Sequence, residues 1–227
     1  NIAALVANRD IDGLRTLARL PLFRRAVLGY CAYTAALGAF SYWAPTFIAE
    51  RFSAQLTLEQ SNRYFGLTTI AAGIIGTIIG GRWGDSTQQR HPVSVDTAYD
   101  DPANKRGTNA LLRICAVGMV WAAPLAAAAF LMPTPIGFFA AAFLAEIGLF
   151  LSTSPVNAIG LRAVPPELRA SAMAAMIFAI HLFGDLWSPY VLGTLLDYVV
   201  AIAAMMALPV TFALSAYVWW PRRAEAE

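Results

Sequence analysis

Six stretches of this sequence, at approximately 26–49, 64–81, 110–132, 135–160, 170–193 and 198–220, are each about as long and as apolar as a helix that crosses a bilayer. A hydrocarbon core about 30 Å thick takes roughly 20 mainly apolar residues in helical form. In that medium every backbone N–H and C=O must be satisfied internally, which leaves only helices or closed barrels. The alternating ten-residue strands of a barrel do not occur here. The chain therefore reads as an all-α polytopic membrane protein with six transmembrane helices. Composition agrees: 58% of residues are hydrophobic and 13% charged, against about 25% charged in an ordinary soluble domain.

The basic residues set the expected orientation. With six spans, the N-terminal segment, the 82–113 loop, the 162–169 loop and the C-terminal tail share one side. That side holds all of the 16 Lys and Arg residues except Arg51 and Arg63. Positively charged loops stay in the cytoplasm, so both termini are expected there, and a bacterial inner membrane is expected rather than an organelle membrane. The formal net charge of +2 is too small to suggest nucleic acid as a partner.

Residues 1–22 read as a cytoplasmic linker. Within it Ile11, Leu14 and Leu17 recur at helical spacing with Arg15 and Arg19 between them, up to Pro21. This is the pattern of a short basic amphipathic helix on the membrane surface. Residues 23–220 form the six-helix bundle and 221–227 a cytoplasmic tail. The first residues have neither an initiator Met nor the order of a signal peptide, so the chain is expected to start inside a longer one. Cys31 and Cys115 lie in apolar runs and read as buried, reduced thiols, with neither a disulfide nor a metal site. In the second span Gly66, Gly73, Gly76 and Gly80 are spaced to let a neighbouring helix approach closely.

Three ionisable residues interrupt the apolar spans. At 1.5 Å per residue, Glu146 in the fourth span lies about 16 Å deep. His181 in the fifth lies about 18 Å deep and Asp185 about 24 Å. Glu146, Phe150, Thr153 and Asn157 follow at intervals of 4, 3 and 4, giving that helix a largely polar face. His181 and Asp185 share a face of theirs, with Ser188 three residues on. An ionised side chain at the bilayer centre is penalised by at least about 2.5–3.5 kcal/mol, so it faces a cavity or a partner, or becomes neutral. Glu146 and His181 are expected to face one polar interior, where they would pair by a hydrogen bond. A carboxyl group poised between burial and a neighbouring imidazolium can exchange protons near neutral pH. Pro45, Pro155 and Pro189 are the expected kinks.

After the second span, GGRWGDSTQQR places Gly81, Asp85 and Arg90 in an apparent short turn. This resembles the G-x-x-x-D…R loop of the major facilitator superfamily, which joins the second and third helices of each six-helix half. The resemblance implies that Asp85 and Arg90 latch a cytoplasmic gate in one state and release it in the other. HLFGDLWSPYVLGTLLD, with His181, Gly184, Asp185, Ser188, Pro189, Tyr190, Gly193 and Asp197, resembles the eleventh-helix motif H-x-x-G-D-x-x-S-P-Y-x-x-G-x-x-x-D of the spinster family of major facilitators. YWAPTFIAERF, with Trp43 and Pro45, resembles the end of that family's seventh helix. Glu146 falls where its tenth helix has a carboxylate.

The resemblance runs from about Phe23 to Ala213. It implies the C-terminal half, helices seven to twelve with inverted three-helix repeats, of a twelve-helix secondary transporter working by alternating access. The expected partners are then an N-terminal six-helix half, protons, membrane lipid, and a lysolipid, sphingolipid phosphate or similar amphiphile as substrate. A small organic anion or drug is the alternative cargo. Glu146, His181, Asp185, Thr153 and Asn157 are the candidate coupling and cavity residues. Tyr33, Phe40, Tyr42, Trp43, Met173 and Met176 offer an adaptable apolar wall. No H-E-x-x-H motif occurs, and Ser154 and His181 lack a serine-protease context, so neither enzyme activity nor a cofactor is expected. A six-span channel or scaffold subunit remains the second alternative.

Overall fold

The computed structural model describes residues 12–92 and 98–221. The proposed positions of Ile11, Arg9, Arg222 and Arg223 lie outside them. Among the described residues all regular elements are helical. A short helix, α1, covers 12–19. It is followed by α2 (Pro21–Arg51), α3 (Leu58–Arg90), α4 (Pro102–Leu131), α5 (Pro135–Leu151), α6 (Thr153–Arg162), α7 (Arg169–Ile180), α8 (Ser188–Tyr198), α9 (Ala201–Met205) and α10 (Ala207–Trp219). Each apolar segment of the sequence becomes one helix or a nearly continuous helix pair.

Local signals place the helix starts. Thr57 and Gln60 form a capping box at α3. Asp101 accepts from the Ala103 N–H ahead of Pro102, and Thr134 does the same for Gly137 ahead of Pro135. These side chains satisfy backbone donors that no helix can satisfy internally. Five spans, α3, α4, α5–α6, α7–α8 and α9–α10, are long and apolar enough to cross a membrane. At 31 residues, α2 is long enough too, but Tyr30, Tyr33, Thr34, Ser41, Tyr42 and Trp43 dilute its apolar character.

Two of the three prolines divide their spans. α5 gives way to α6 at Ser152, three residues before Pro155. The Ser152 hydroxyl then bonds the Cys115 carbonyl at 3.2 Å, while the Cys115 thiol returns to the Ser152 carbonyl at 3.7 Å. Ahead of Pro189, His181–Asp185 forms a single π turn, with the Leu186 N–H on the His181 carbonyl at 3.1 Å. Pro45 is absorbed within an unbroken α2.

The start of α2, the ends of α3, α6 and α10, and the start of α4 gather at one end of the bundle. Arg25 at the start of α2 donates to the carbonyls of Val218, Trp219 and Trp220 at 3.2, 3.4 and 2.6 Å, closing the end of α10. Arg162 at the end of α6 reaches Asn104 at 3.2 Å and Gln88 at 3.4 Å, linking α4 and α3. Asn104 in turn donates to the Arg162 carbonyl at 2.9 Å. In α1, Leu17 is buried in the common core and Gly13 lies against Leu168, whereas Leu14 is half exposed. Leu17 therefore gives α1 its inner face, and α1 packs on the segment between α6 and α7. At the other end Arg51 donates to the Met132 carbonyl at 3.1 Å, closing α4.

The second-span glycines divide in two. A Cβ at Gly80 would run into the Leu151 backbone, and one at Gly76 would lie 2.6 Å from the Ile147 carbonyl. Gly73 has ordinary contact with Phe150, and Gly66 faces open space. The close approach of α3 to α5 thus rests on the last two of the four.

Candidate functional site

Glu146 sits near the middle of the α5–α6 span and is only 2% exposed. Its Oε1 accepts a hydrogen bond of 3.0 Å from Thr69 on α3, and its Oε2 is buried without a hydrogen-bond partner. Beside it is a cavity of about 20 Å³ lined by Phe40, Phe130, Leu149, Phe212 and several alanines. That volume holds about one water, but Glu146 is the one ionisable group in its wall.

Two to three turns further along, Asn157 donates to the Thr153 carbonyl at 2.9 Å, and the Thr153 hydroxyl is buried without a hydrogen-bond partner. From α2, Tyr33 adjoins Thr153 and is within electrostatic range of Glu146, while Tyr30 adjoins Asn157. The two tyrosine rings are 5.4 Å apart. Residues from α2, α3, α5 and α6 therefore form one polar strip inside an otherwise apolar bundle. It can orient a polar headgroup or hold a proton.

His181 does not join this strip. Its Nδ1 lies 3.0 Å from Asp185, and the two side chains are 64% and 36% exposed. The expected Glu146–His181 pair is not formed, because equal depth on two helices does not fix the direction in which each residue points. α2 packs beneath the π turn: the Thr34 hydroxyl lies within donating distance of the Tyr30, Cys31 and Ile180 carbonyls, at 2.9, 3.2 and 3.2 Å, and Cys31 donates to the Ala179 carbonyl at 3.4 Å. A Cβ at Gly38 would lie 2.5 Å from that of Asp185. The His181–Asp185 pair therefore stands on the outer face of this bundle, a position that suits a partner or an aqueous space and not lipid.

The expected loop holding Gly81, Asp85 and Arg90 is instead helix. α3 continues without a break to Arg90, because the first breaker is Pro92. Asp85 and Arg90 are exposed; five residues apart on one helix, they point about 140° away from each other. Gly81 makes only ordinary contact with Ser154 and allows no turn.

The aromatic and methionine residues separate by role. Phe40 meets Phe65 and Phe130 edge-on at 5.2 and 5.8 Å and also walls the Glu146 cavity. Trp43 donates to the Pro189 carbonyl at 2.7 Å, tying α2 to α8, and Tyr42 is exposed. Met173 and Met176 pack on Gly160, with Met176 fully buried, so both serve the α6–α7 contact here. Thr69 and Tyr30 are site residues that the sequence reading missed. A threonine at mid-span was the available signal for the first.

Helical spans long and apolar enough to cross a bilayer, with one end gathered by arginine–carbonyl bonds and a polar strip enclosed between them, define a multi-pass α-helical membrane protein. The model of the Major Facilitator Superfamily matches residues 3–189, and the chain belongs to that superfamily. Its similarity is to the spinster branch. It is 34% identical over 173 residues to an Arabidopsis thaliana protein named Probable sphingolipid transporter spinster homolog 2, covering 76% of this chain and 31% of that protein. It is 28% identical over 202 residues to Protein spinster of Drosophila melanogaster, covering 86% and 30%. It is 27% identical over 195 residues to a sphingosine-1-phosphate transporter of Danio rerio, covering 81% and 36%.

The fold matches the crystal structure of a bacterial homolog to the human lysosomal transporter Spinster, in an inward-facing and occupied conformation. The TM-score is 0.70 at 17% identity, over 90% of this chain and 49% of that one. The chain thus spans about a third of the curated relatives it matches and half of the solved fold. The Arabidopsis thaliana and Danio rerio relatives are named as transporters.

Proposed function

We propose that this chain is the C-terminal six-helix half of a proton-coupled, spinster-like transporter. It carries a lysolipid, sphingolipid phosphate or similar amphiphile by alternating access, with its termini in the cytoplasm of a bacterial inner membrane. The observation that carries this reading is the buried carboxyl of Glu146, with one oxygen on Thr69 and the other unpaired. Such a group can take a proton or a headgroup donor from an adjoining cavity. Tyr30, Tyr33, Thr153 and Asn157 would orient the polar end of the substrate. His181 and Asp185 would face the complementary half, as would Asp85 and Arg90 at the cytoplasmic gate.

The test is uptake of a fluorescent lysolipid into proteoliposomes containing this chain joined to its complementary half, with and without an imposed pH gradient. Gradient-driven, saturable flux that Glu146→Gln uncouples from the gradient supports the reading, since glutamine retains an acceptor for Thr69. Gradient-driven flux unchanged in Glu146→Gln removes the coupling role from this residue. Rapid flux that does not saturate identifies a channel.

A further inference from the structure

A groove of about 600 Å³ runs along the bundle between α4 and α10, away from the polar strip and from the His181 face. That volume falls within the range of about 300–1,000 Å³ typical of small-molecule sites. Its walls are Val120 and Ala123 of α4, Ala213, Ala216 and Tyr217 of α10, and Trp220 and Pro221 just beyond α10. Val120, Tyr217 and Trp220 are about half exposed or more. A face of this composition on a membrane helix meets acyl chains. The groove also has a charged end. Arg113 lies seven residues before Val120, on the same face of α4 and about 10 Å nearer the end of the bundle at which Arg25 closes α10. Ala126 of α4 and Phe212 of antiparallel α10 line one cavity, and from that level Arg113 is about 20 Å along the bundle and Trp220 about 12 Å, so Arg113 lies beyond the groove's end at Trp220, toward the headgroups.

Arg113 is exposed and makes no hydrogen bond or ion pair among the described residues. It stands about 27 Å from the far end of α4 at Leu131, close to one hydrocarbon thickness, so its guanidinium reaches the headgroup layer. Trp220 and Tyr217 are of the types that favour that layer.

We propose that this groove binds one anionic phospholipid from the leaflet on the side of Arg25 and Arg113. Its acyl chain lies along Val120, Ala123, Ala213 and Tyr217, and its phosphate is held by Arg113. Arginine suits this task because its planar fork can bond two phosphate oxygens at once. The lipid would fill the seam between α4 and α10 and couple α10 to the leaflet charge.

The test is native mass spectrometry of the protein released from nanodiscs of equal phosphatidylglycerol and phosphatidylethanolamine. The wild-type chain should keep one phosphatidylglycerol in preference to phosphatidylethanolamine. Arg113→Gln should lower that retention about fivefold and remove the preference, while Arg113→Lys should restore most of it. Val120→Trp, which fills the groove, should remove both lipids. Arg82→Gln, an exposed cation on α3, should change nothing. Wild-type retention of phosphatidylglycerol in Arg113→Gln, or of either lipid in Val120→Trp, overturns the proposal.

Discussion

Substituting alanine at each of two glycines on one helix isolates the α3–α5 contact. At Gly80 the added methyl meets the Leu151 carbonyl, with the Leu151 Cα at 3.0 Å. These are backbone atoms of a packed helix and cannot rotate away as a side-chain tip would. At Gly66 nothing lies within 4 Å. Each replacement gains about the same helix propensity, roughly 0.8–1.0 kcal/mol on soluble scales, so this contribution cancels between them. What remains is the cost of overpacking, about 1–3 kcal/mol, at its upper end because the obstacle is backbone. Gly80→Ala should therefore have an unfolding constant roughly 5- to 150-fold larger than Gly66→Ala. Reversible unfolding of the purified chain in mixed detergent micelles, followed by circular dichroism, measures this. Equal stability of the two variants would refute the close approach, because the comparison holds chemistry, helix and propensity constant.

Removing the Arg25 side chain as Arg25→Ala should destabilise the packing of α10 on α2 by about 1.5–3 kcal/mol, since three carbonyls at the end of α10 lose a charged donor; selective loss of α10 protection in hydrogen exchange would show it. Thr34→Val keeps the shape at the π turn but removes the hydroxyl that bridges α2 to the Ile180 carbonyl. It should cost about 1 kcal/mol and speed exchange of amides 181–186, leaving α4 unchanged; equal acceleration in both would mean a global effect. Arg162→Gln should loosen the α3, α4 and α6 ends together, read as faster proteolysis after Arg90 with α10 protection unaltered.

How much of this was legible depended on what kind of information the sequence carries. Apolar length located each span, since a bilayer leaves the backbone few choices, and the caps at Asp101–Pro102 and Thr134–Pro135 fixed where two of them begin. Arginine bias grouped the loops, and the Arg162–Asn104 and Arg25–Trp220 bonds bring those loops together. Depth along a helix was also readable, so Glu146 was found. Azimuth was not, because it depends on how neighbouring helices rotate. Thr69 therefore took the place at Glu146 that His181 was expected to fill. The end of α3 was misread from a motif: Gly81 and Asp85 look like turn residues in a string of letters, yet no proline interrupts the helix before Arg90. Of the four spaced glycines, pattern alone could not tell Gly80, which meets backbone, from Gly66, which meets nothing.

The π turn at His181–Asp185 has a further consequence for sequence comparison. A residue added to or taken from an α-helix turns everything beyond it by about 100° and shifts it about 1.5 Å, which in α4 would strip the core from its partners. Here the wide turn already holds one residue of slack. A single-residue deletion between 181 and 185 can restore ordinary helical winding while α8 keeps its seat, with Trp43 still on the Pro189 carbonyl. A one-position gap belongs at that point in any structure-based alignment with a transporter whose corresponding helix is regular, and a gap placed elsewhere in the span would misassign every residue from Asp185 to Tyr198.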